Sequence, residues 1–249
     1  MPTVLLVRHG RTTANASGVL AGWTPGVGLD EVGQAQVSAL GVRLAALPLA
    51  AVVTSPLQRC LETAQGLLDA REPVRRPELH PDEALGECRY GDWTGRPLKE
   101  LAKDPLWRVV QAHPSAATFP GAEGESMLTM QHRAVTAIRG HDAAVAGEHG
   151  ENALWVAVSH GDVIKAVLAD ALGMHLDAFQ RISVDPASVS VIRYTPLRPF
   201  VLRMNDSGGD LAALVPRPTR RRRGAGGSRS TRATSSDATV GGETGTATT

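Results

Sequence analysis

Val4-Leu5-Leu6-Val7-Arg8-His9-Gly10 starts as four aliphatic residues and stops at a cation, an imidazole and a glycine. A short apolar run bounded by turn residues reads as a buried strand. Ligands of open α/β sheets bind beyond the carboxyl ends of the strands, so this run would deliver Arg8 and His9 to a ligand site. Two later runs end the same way. Ala51-Val52-Val53-Thr54 gives way to Ser55-Pro56-Leu57-Gln58-Arg59, and Ala153-Leu154-Trp155-Val156-Ala157-Val158 gives way to Ser159-His160-Gly161-Asp162.

Helical spacing separates these strands. Val32, Ala35, Leu40, Leu44 and Leu47 recur at that spacing over Glu31–Leu47, with Asp30 placed as the N-cap and Pro48 as the stop. Further helices are expected over Leu57–Leu68, Leu98–Gln111, Met127–His149 and Val163–Leu172. A short strand is expected near Leu79, and a closing hairpin from Ser188–Tyr194 and Phe200–Met204. Strands alternating with helices predict an α/β fold with a mostly parallel central sheet flanked by helices on both faces. The loop from His113 to Ser126 is dense in Pro and Gly and long enough to form a substrate wall.

The 249 residues, 42% of them hydrophobic, suffice for one sizeable core. Charge is unevenly spread. From Asn205 onward seven arginines face Asp206, Asp210, Asp237 and Glu243, whereas residues 1–204 hold 19 basic and 21 acidic side chains. The expected domain, 1–204, is therefore no nucleic-acid binder on bulk electrostatics. Residues 205–249 are rich in Gly, Ser, Thr and Arg without apolar periodicity, and read as a disordered tail in which Arg220–Arg223 form a solvated charge run. Cys60 and Cys88 have no metal-ligand spacing and are too few for a disulfide framework, which fits a reducing compartment. No apolar run has the length of a signal peptide or a membrane span, so the expected setting is cytoplasmic.

Two histidines and two arginines converging on one sheet edge suit phosphoryl chemistry. Arginine forks bind phosphate oxygens bidentately and stay charged at any working pH. An imidazole can attack phosphorus and split one hard displacement into two easier ones. Gly161 and Asp162 open a helix whose free N–H groups favour an anion nearby, and Asp162 is expected to cap it.

At these residues the chain resembles the histidine phosphatase superfamily, also called phosphoglycerate-mutase-like. The matching motifs are Arg8-His9-Gly10 with Asn15, Ser55-Pro56-Leu57-Gln58-Arg59-Cys60-Leu61-Glu62-Thr63-Ala64, Glu87-Cys88-Arg89-Tyr90-Gly91-Asp92-Trp93-Thr94-Gly95, and Ser159-His160-Gly161. The resemblance implies that His9 becomes phosphohistidine. It implies that Arg8, Arg59, Asn15, His160 and Gly161 hold the phosphoryl group, and that Glu87 is the acid and then the base. Such a carboxyl needs a pKa lifted toward neutrality, which burial near Tyr90 and Trp93 would supply. Asp82 and Glu83 are the rival carboxylates. The resemblance implies neither a metal nor a cofactor, since arginines neutralise the phosphoryl charge.

The same resemblance covers phosphatases and mutases. The mutases carry a hydroxyl residue where this chain has Ala21, an arginine where it has Cys88, and a paired arginine where Trp107-Arg108-Val109 has one. These differences favour the phosphatase branch and a small-molecule phosphomonoester, with Trp23, Tyr90 and Arg108 as candidate substrate contacts. A phosphoglycerate-type mutase and a non-catalytic phospho-ligand binder are the alternatives. No nucleic acid or membrane is expected as a partner, and an edge strand is open to pairing into a homodimer.

Overall fold

The computed structural model describes residues 2–209. In chain order these form β1 (Thr3–Arg8), α1 (Thr13–Ser17), α2 (Glu31–Leu44), β2 (Leu49–Thr54), α3 (Gln58–Asp69), β3 (Leu79–Pro81), α4 (Leu98–Leu101), α5 (Pro105–Ala112), α6 (Met127–His149), β4 (Leu154–Ser159), α7 (Gly161–Ala171), β5 (Val189–Arg193) and β6 (Phe200–Asp206). One six-stranded sheet has the order β3-β2-β4-β1-β5-β6. The first four of these strands in that order run parallel, and β5 and β6 add an antiparallel edge.

The burial of β1 explains why its sequence does not alternate. Val4 and Leu6 pack into one core with α6 and α7, through Met130, Ala134, Ile138, Ile164 and Val167. Leu5 and Val7 pack into a second core with α2 and α3, through Leu40, Leu44, Ala64 and Leu67. Helices on both faces leave no position from Val4 to Val7 for a polar side chain, as is typical of parallel strands. β4 repeats the pattern, with Trp155 and Ala157 on one side and Val156 and Val158 on the other.

Topology places the site. The chain leaving β1 crosses over β4 to reach β2, and the chain leaving β4 crosses over β1 to reach β5. The β1–β4 crevice is therefore a switch point, where a cleft opens at the carboxyl ends of the strands. Arg8 pairs with Ser159 in register, and the His9 and Ser55 N–H groups donate to the Ser159 and Val158 carbonyls at 3.0 and 2.9 Å. The three polar turns thus stand at one level.

Several boundaries differ from the sequence expectations. The helix expected over Leu98–Gln111 is two, α4 and α5, because Pro105 takes the first position of a new helix capped by Asp104, whose carboxylate accepts from Leu106 N–H. α2 ends at Leu44 rather than Leu47, and Arg71 donates to the freed carbonyls of Leu44 and Leu47. Asn205 and Asp206 belong to β6, not to the tail: Asn205 donates to Asp185 at 2.8 Å and Asp206 pairs with Arg43 at 2.7 Å. The disorder expected further along and the Arg220–Arg223 run fall on 210–249, outside the described residues. Among the described residues no helix is long and apolar enough to cross a membrane.

Candidate active site

β1 ends by aiming His9 into a narrow crevice lined by His9, Thr12, Asn15, Val19, Leu20, Ala21, Gly22, Arg59, Glu87 and Leu98. Gly10 turns the chain at once. A Cβ there would lie 2.8 Å from the Gly33 carbonyl oxygen and 2.9 Å from Val37 Cγ2, so only glycine lets the turn lie against α2. The Gly10 N–H donates to Thr63 Oγ1 at 3.1 Å, which ties the turn to α3.

The His9 tautomer follows from its partner. Nδ1 lies 2.7 Å from the Gly10 carbonyl oxygen, which can only accept, so Nδ1 carries the hydrogen. In the neutral ring the lone pair is then on Nε2. Burial, then Arg59, then Arg8 hold the His9 pKa well below the usual imidazole range. The lowered pKa favours the neutral ring.

Two buried guanidinium groups flank it. Arg8 donates to the Val184 carbonyl at 2.7 Å, and Arg59, in the first turn of α3, donates to the Gly22 carbonyl at 2.9 Å. Arg59 lines the crevice, whereas Arg8, His160 and Gly161 are not among its lining residues. His160, the N-cap of α7, has its ring centroid 5.2 Å from that of His9. Its Nε2 is 2.8 Å from Ser55 Oγ and its Nδ1 is 3.8 Å from Glu87 Oε2. Burial, Arg59, His9 and Arg8 push its pKa well below the ordinary value too. Gly161 starts α7, whose N-terminal dipole adds to the positive potential.

Glu87 faces the histidines from a loop, with Oε1 accepting Cys88 N–H at 3.0 Å. Burial, and then the charge of Asp162, push its pKa up to about 7 against the pull of Arg59. A carboxyl so tuned holds a proton near neutrality and can also release it. The site therefore brings together an imidazole whose Nδ1 is engaged by Gly10, a buried arginine and a carboxyl with a raised pKa.

The structure gives other sequence-predicted residues different surroundings. Asn15 lines the crevice, and its side-chain oxygen accepts from the Thr12 N–H and hydroxyl in a capping box. Asp162 does not cap α7, because the extended backbone of His160 starts the helix two residues earlier. Its carboxylate is fully buried, accepting from the Tyr90 hydroxyl at 2.8 Å with Lys165 Nζ 4.0 Å away. Tyr90 is accordingly a buried partner of Asp162 and does not line the crevice. Trp23 lies behind the acid, its Nε1–H donating to the Glu87 carbonyl at 2.7 Å and its ring under the Arg89 guanidinium at 4.0 Å. Arg108 is exposed on α5, outside the crevice lining.

Asp82 caps the turn over Glu83–Leu85 and pairs with His141 at 2.7 Å, while Glu83 is exposed; neither lines the crevice. Burial pushes the Cys60 thiol up to about 12 and the Cys88 thiol well above its ordinary value, which keeps both protonated. Among the described residues, no group of three or more His, Cys, Asp and Glu side chains is arranged to hold a metal ion. Thr63, Ser55 and Lys165 are polar neighbours of the site that the motifs did not single out for these contacts.

Residues 4–207 match the model of the histidine phosphatase superfamily, branch 1. The chain belongs to that superfamily. It is 33% identical over 193 residues to the bifunctional protein Rv2228c of Mycobacterium tuberculosis, a match covering 77% of this chain and 50% of that protein. The chain thus matches about half the length of that mycobacterial relative. Phosphoserine phosphatase 1 of Hydrogenobacter thermophilus is 28% identical over 208 residues, 82% of this chain and 92% of its own. The solved structure of YhfR from Bacillus stearothermophilus superposes with a TM-score of 0.72 at 30% identity, over 83% of this chain and 98% of that one. Relatives named as 2,3-bisphosphoglycerate-dependent phosphoglycerate mutases match at 27% identity. This superfamily member is therefore related to phosphatases and phosphomutases alike.

Proposed function

We propose that this superfamily member hydrolyses a small phosphomonoester through a phosphohistidine on His9. The observation that carries the reading is the His9 ring itself, neutral, with its Nε2 lone pair free of the Nδ1–Gly10 hydrogen bond and set between two buried arginines. In the first step Nε2 forms a bond to phosphorus while the ester P–O bond breaks, and protonated Glu87 gives its proton to the departing oxygen. In the second, Glu87 carboxylate takes a proton from water, the new P–O bond forms, and the P–N bond breaks to release inorganic phosphate. Arg8, Arg59 and His160 stabilise the equatorial oxygens through both steps, with Asn15 beside them.

Water is favoured as acceptor over a second acidic sugar phosphate by the crevice lining. Apart from His9, Thr12, Asn15, Arg59 and Glu87 it consists of Val19, Leu20, Ala21, Gly22 and Leu98, which offer no cation to a second phosphate.

The test is phosphate release from an aryl phosphomonoester in excess chelator, with wild type beside His9→Ala. Wild-type turnover that survives chelation, a loss of at least ~10³-fold in the variant, and an acid-labile phosphoenzyme in wild type alone are expected. Turnover retained by His9→Ala, or lost to chelator, overturns the mechanism. Absence of hydrolysis together with isomerisation of phosphoglycerate in the presence of its bisphosphate would establish the mutase instead.

A further inference from the structure

Glu87 sits on a segment, Glu87–Arg89, that belongs to neither helix nor strand, so the loop's peptide groups need partners from elsewhere in the molecule. One side chain holds the Glu87 carbonyl together with the backbone leading into the segment. Arg133, on α6, directs Nη1 to the carbonyls of Ala84 at 2.8 Å and Gly86 at 2.9 Å, and Nη2 to the carbonyl of Glu87 at 2.9 Å. Its remaining N–H groups go to Glu125, Nε to Oε2 at 3.1 Å and Nη2 to Oε1 at 2.6 Å. Every donor of the guanidinium is used, and three of the five bonds end on the backbone that carries Glu87. Glu125 completes the grip from the far side, its Oε1 also accepting the Arg89 N–H at 2.8 Å. The ion pair therefore holds the Glu87 carbonyl, which also accepts from Trp23, and the Arg89 N–H two residues on.

That pair lines no part of the crevice, and all five guanidinium donors are already used. We propose that Arg133, oriented by Glu125, is a positioning residue for proton transfer: it fixes the Glu87 backbone so that the carboxyl meets the leaving oxygen. The inference rests on the acid–base role of Glu87 argued above. Lysine could not replace the arginine, since an ammonium has three donors and no planar fork to reach three carbonyls and a carboxylate together. A shift of the acid by even an ångström weakens proton transfer, whereas attack by His9 on a substrate needing no acid is little affected.

Leaving-group chemistry separates this role from a merely structural one. kcat/KM is measured for wild type, Arg133→Lys, Glu125→Gln and Glu87→Gln on p-nitrophenyl phosphate, whose leaving group departs without a proton, and on glycerol phosphate, whose alkoxide needs one. Arg133→Lys is expected to lose ~10–100-fold on glycerol phosphate and under ~3-fold on the aryl ester, with Glu125→Gln in the same direction and Glu87→Gln more extreme. The ratio of the two substrates is taken within one preparation, so a smaller folded fraction scales both rates alike. Equal losses on both substrates, or no loss, in Arg133→Lys and Glu125→Gln, beside unequal losses in Glu87→Gln, overturn the positioning role and leave the acid assignment standing. Equal losses in Glu87→Gln overturn that assignment and the positioning role with it.

Discussion

Replacing Glu87 by Gln removes a group that the folded state holds protonated and the unfolded chain does not. Glu87 titrates near 4.5 when free and near 7 in the fold, because burial and the nearby Asp162 oppose its ionisation. The sign follows from which state binds the proton. Between those values the native state binds more protons than the unfolded one, so stability falls as pH rises through the window. Relative to a side chain that never ionises, the shift costs about 3 kcal/mol at pH 8 and about 1 kcal/mol at pH 5. Glu87→Gln keeps an oxygen to accept the Cys88 N–H but has no proton to lose. It should gain about 2–3 kcal/mol more over wild type at pH 8 than at pH 5, or about 5–10 °C in Tm for a domain of this size. Thermal and urea unfolding of both proteins at the two pH values measure the double difference. The titrations of His9 and His160, common to both proteins, cancel from it to first order. The variant should be more stable yet defective on substrates with poor leaving groups. Parallel pH dependences in the two proteins would refute the argument, since Glu87 would then ionise in the fold as it does in water.

Thr63→Val should destabilise by about 1–3 kcal/mol, because the buried Gly10 N–H loses the hydroxyl it donates to, and Thr63→Ser should recover most of that in urea denaturation. Valine and serine variants of equal stability would show the bond to be idle. Arg59→Lys should weaken competitive inhibition by inorganic phosphate ~10–100-fold, since an ammonium cannot span two phosphate oxygens. An unchanged inhibition constant would remove Arg59 from the oxyanion clamp.

Much of the architecture was legible because its signals are local. β1 and β4 each compress their fold information into six residues, and burial of both faces removes polar residues from the run. The α6 limits Met127 and His149 follow from a capping serine before the helix and a glycine after it. The break at Pro105 was less legible, since apolar spacing runs on through it and only the Asp104–Leu106 cap marks the new helix. The residues around the acid were hardest to read. Tyr90 meets Asp162 across 72 residues and Arg133 meets the Glu87 carbonyl across 46, and no periodicity links such positions. Its place in a recognisable motif makes Tyr90 read as a substrate contact, whereas its hydroxyl donates to a buried carboxylate. The motif reports which residues matter and leaves their partners to tertiary packing.

The insertion of β1 between β4 and β5 bears on how the molecule fails. His9 is the next residue after a strand whose neighbours on every side are core, so the proposed nucleophile has no hinge of its own. Local opening near the crevice can loosen the loop that carries Glu87, but moving His9 requires parting the middle of the sheet. The phosphoryl acceptor should therefore survive fluctuations that disarm the proton donor. A partly opened molecule could accept a phosphoryl group from an activated ester and then be slow to release it, so that phosphoenzyme accumulates before unfolding does.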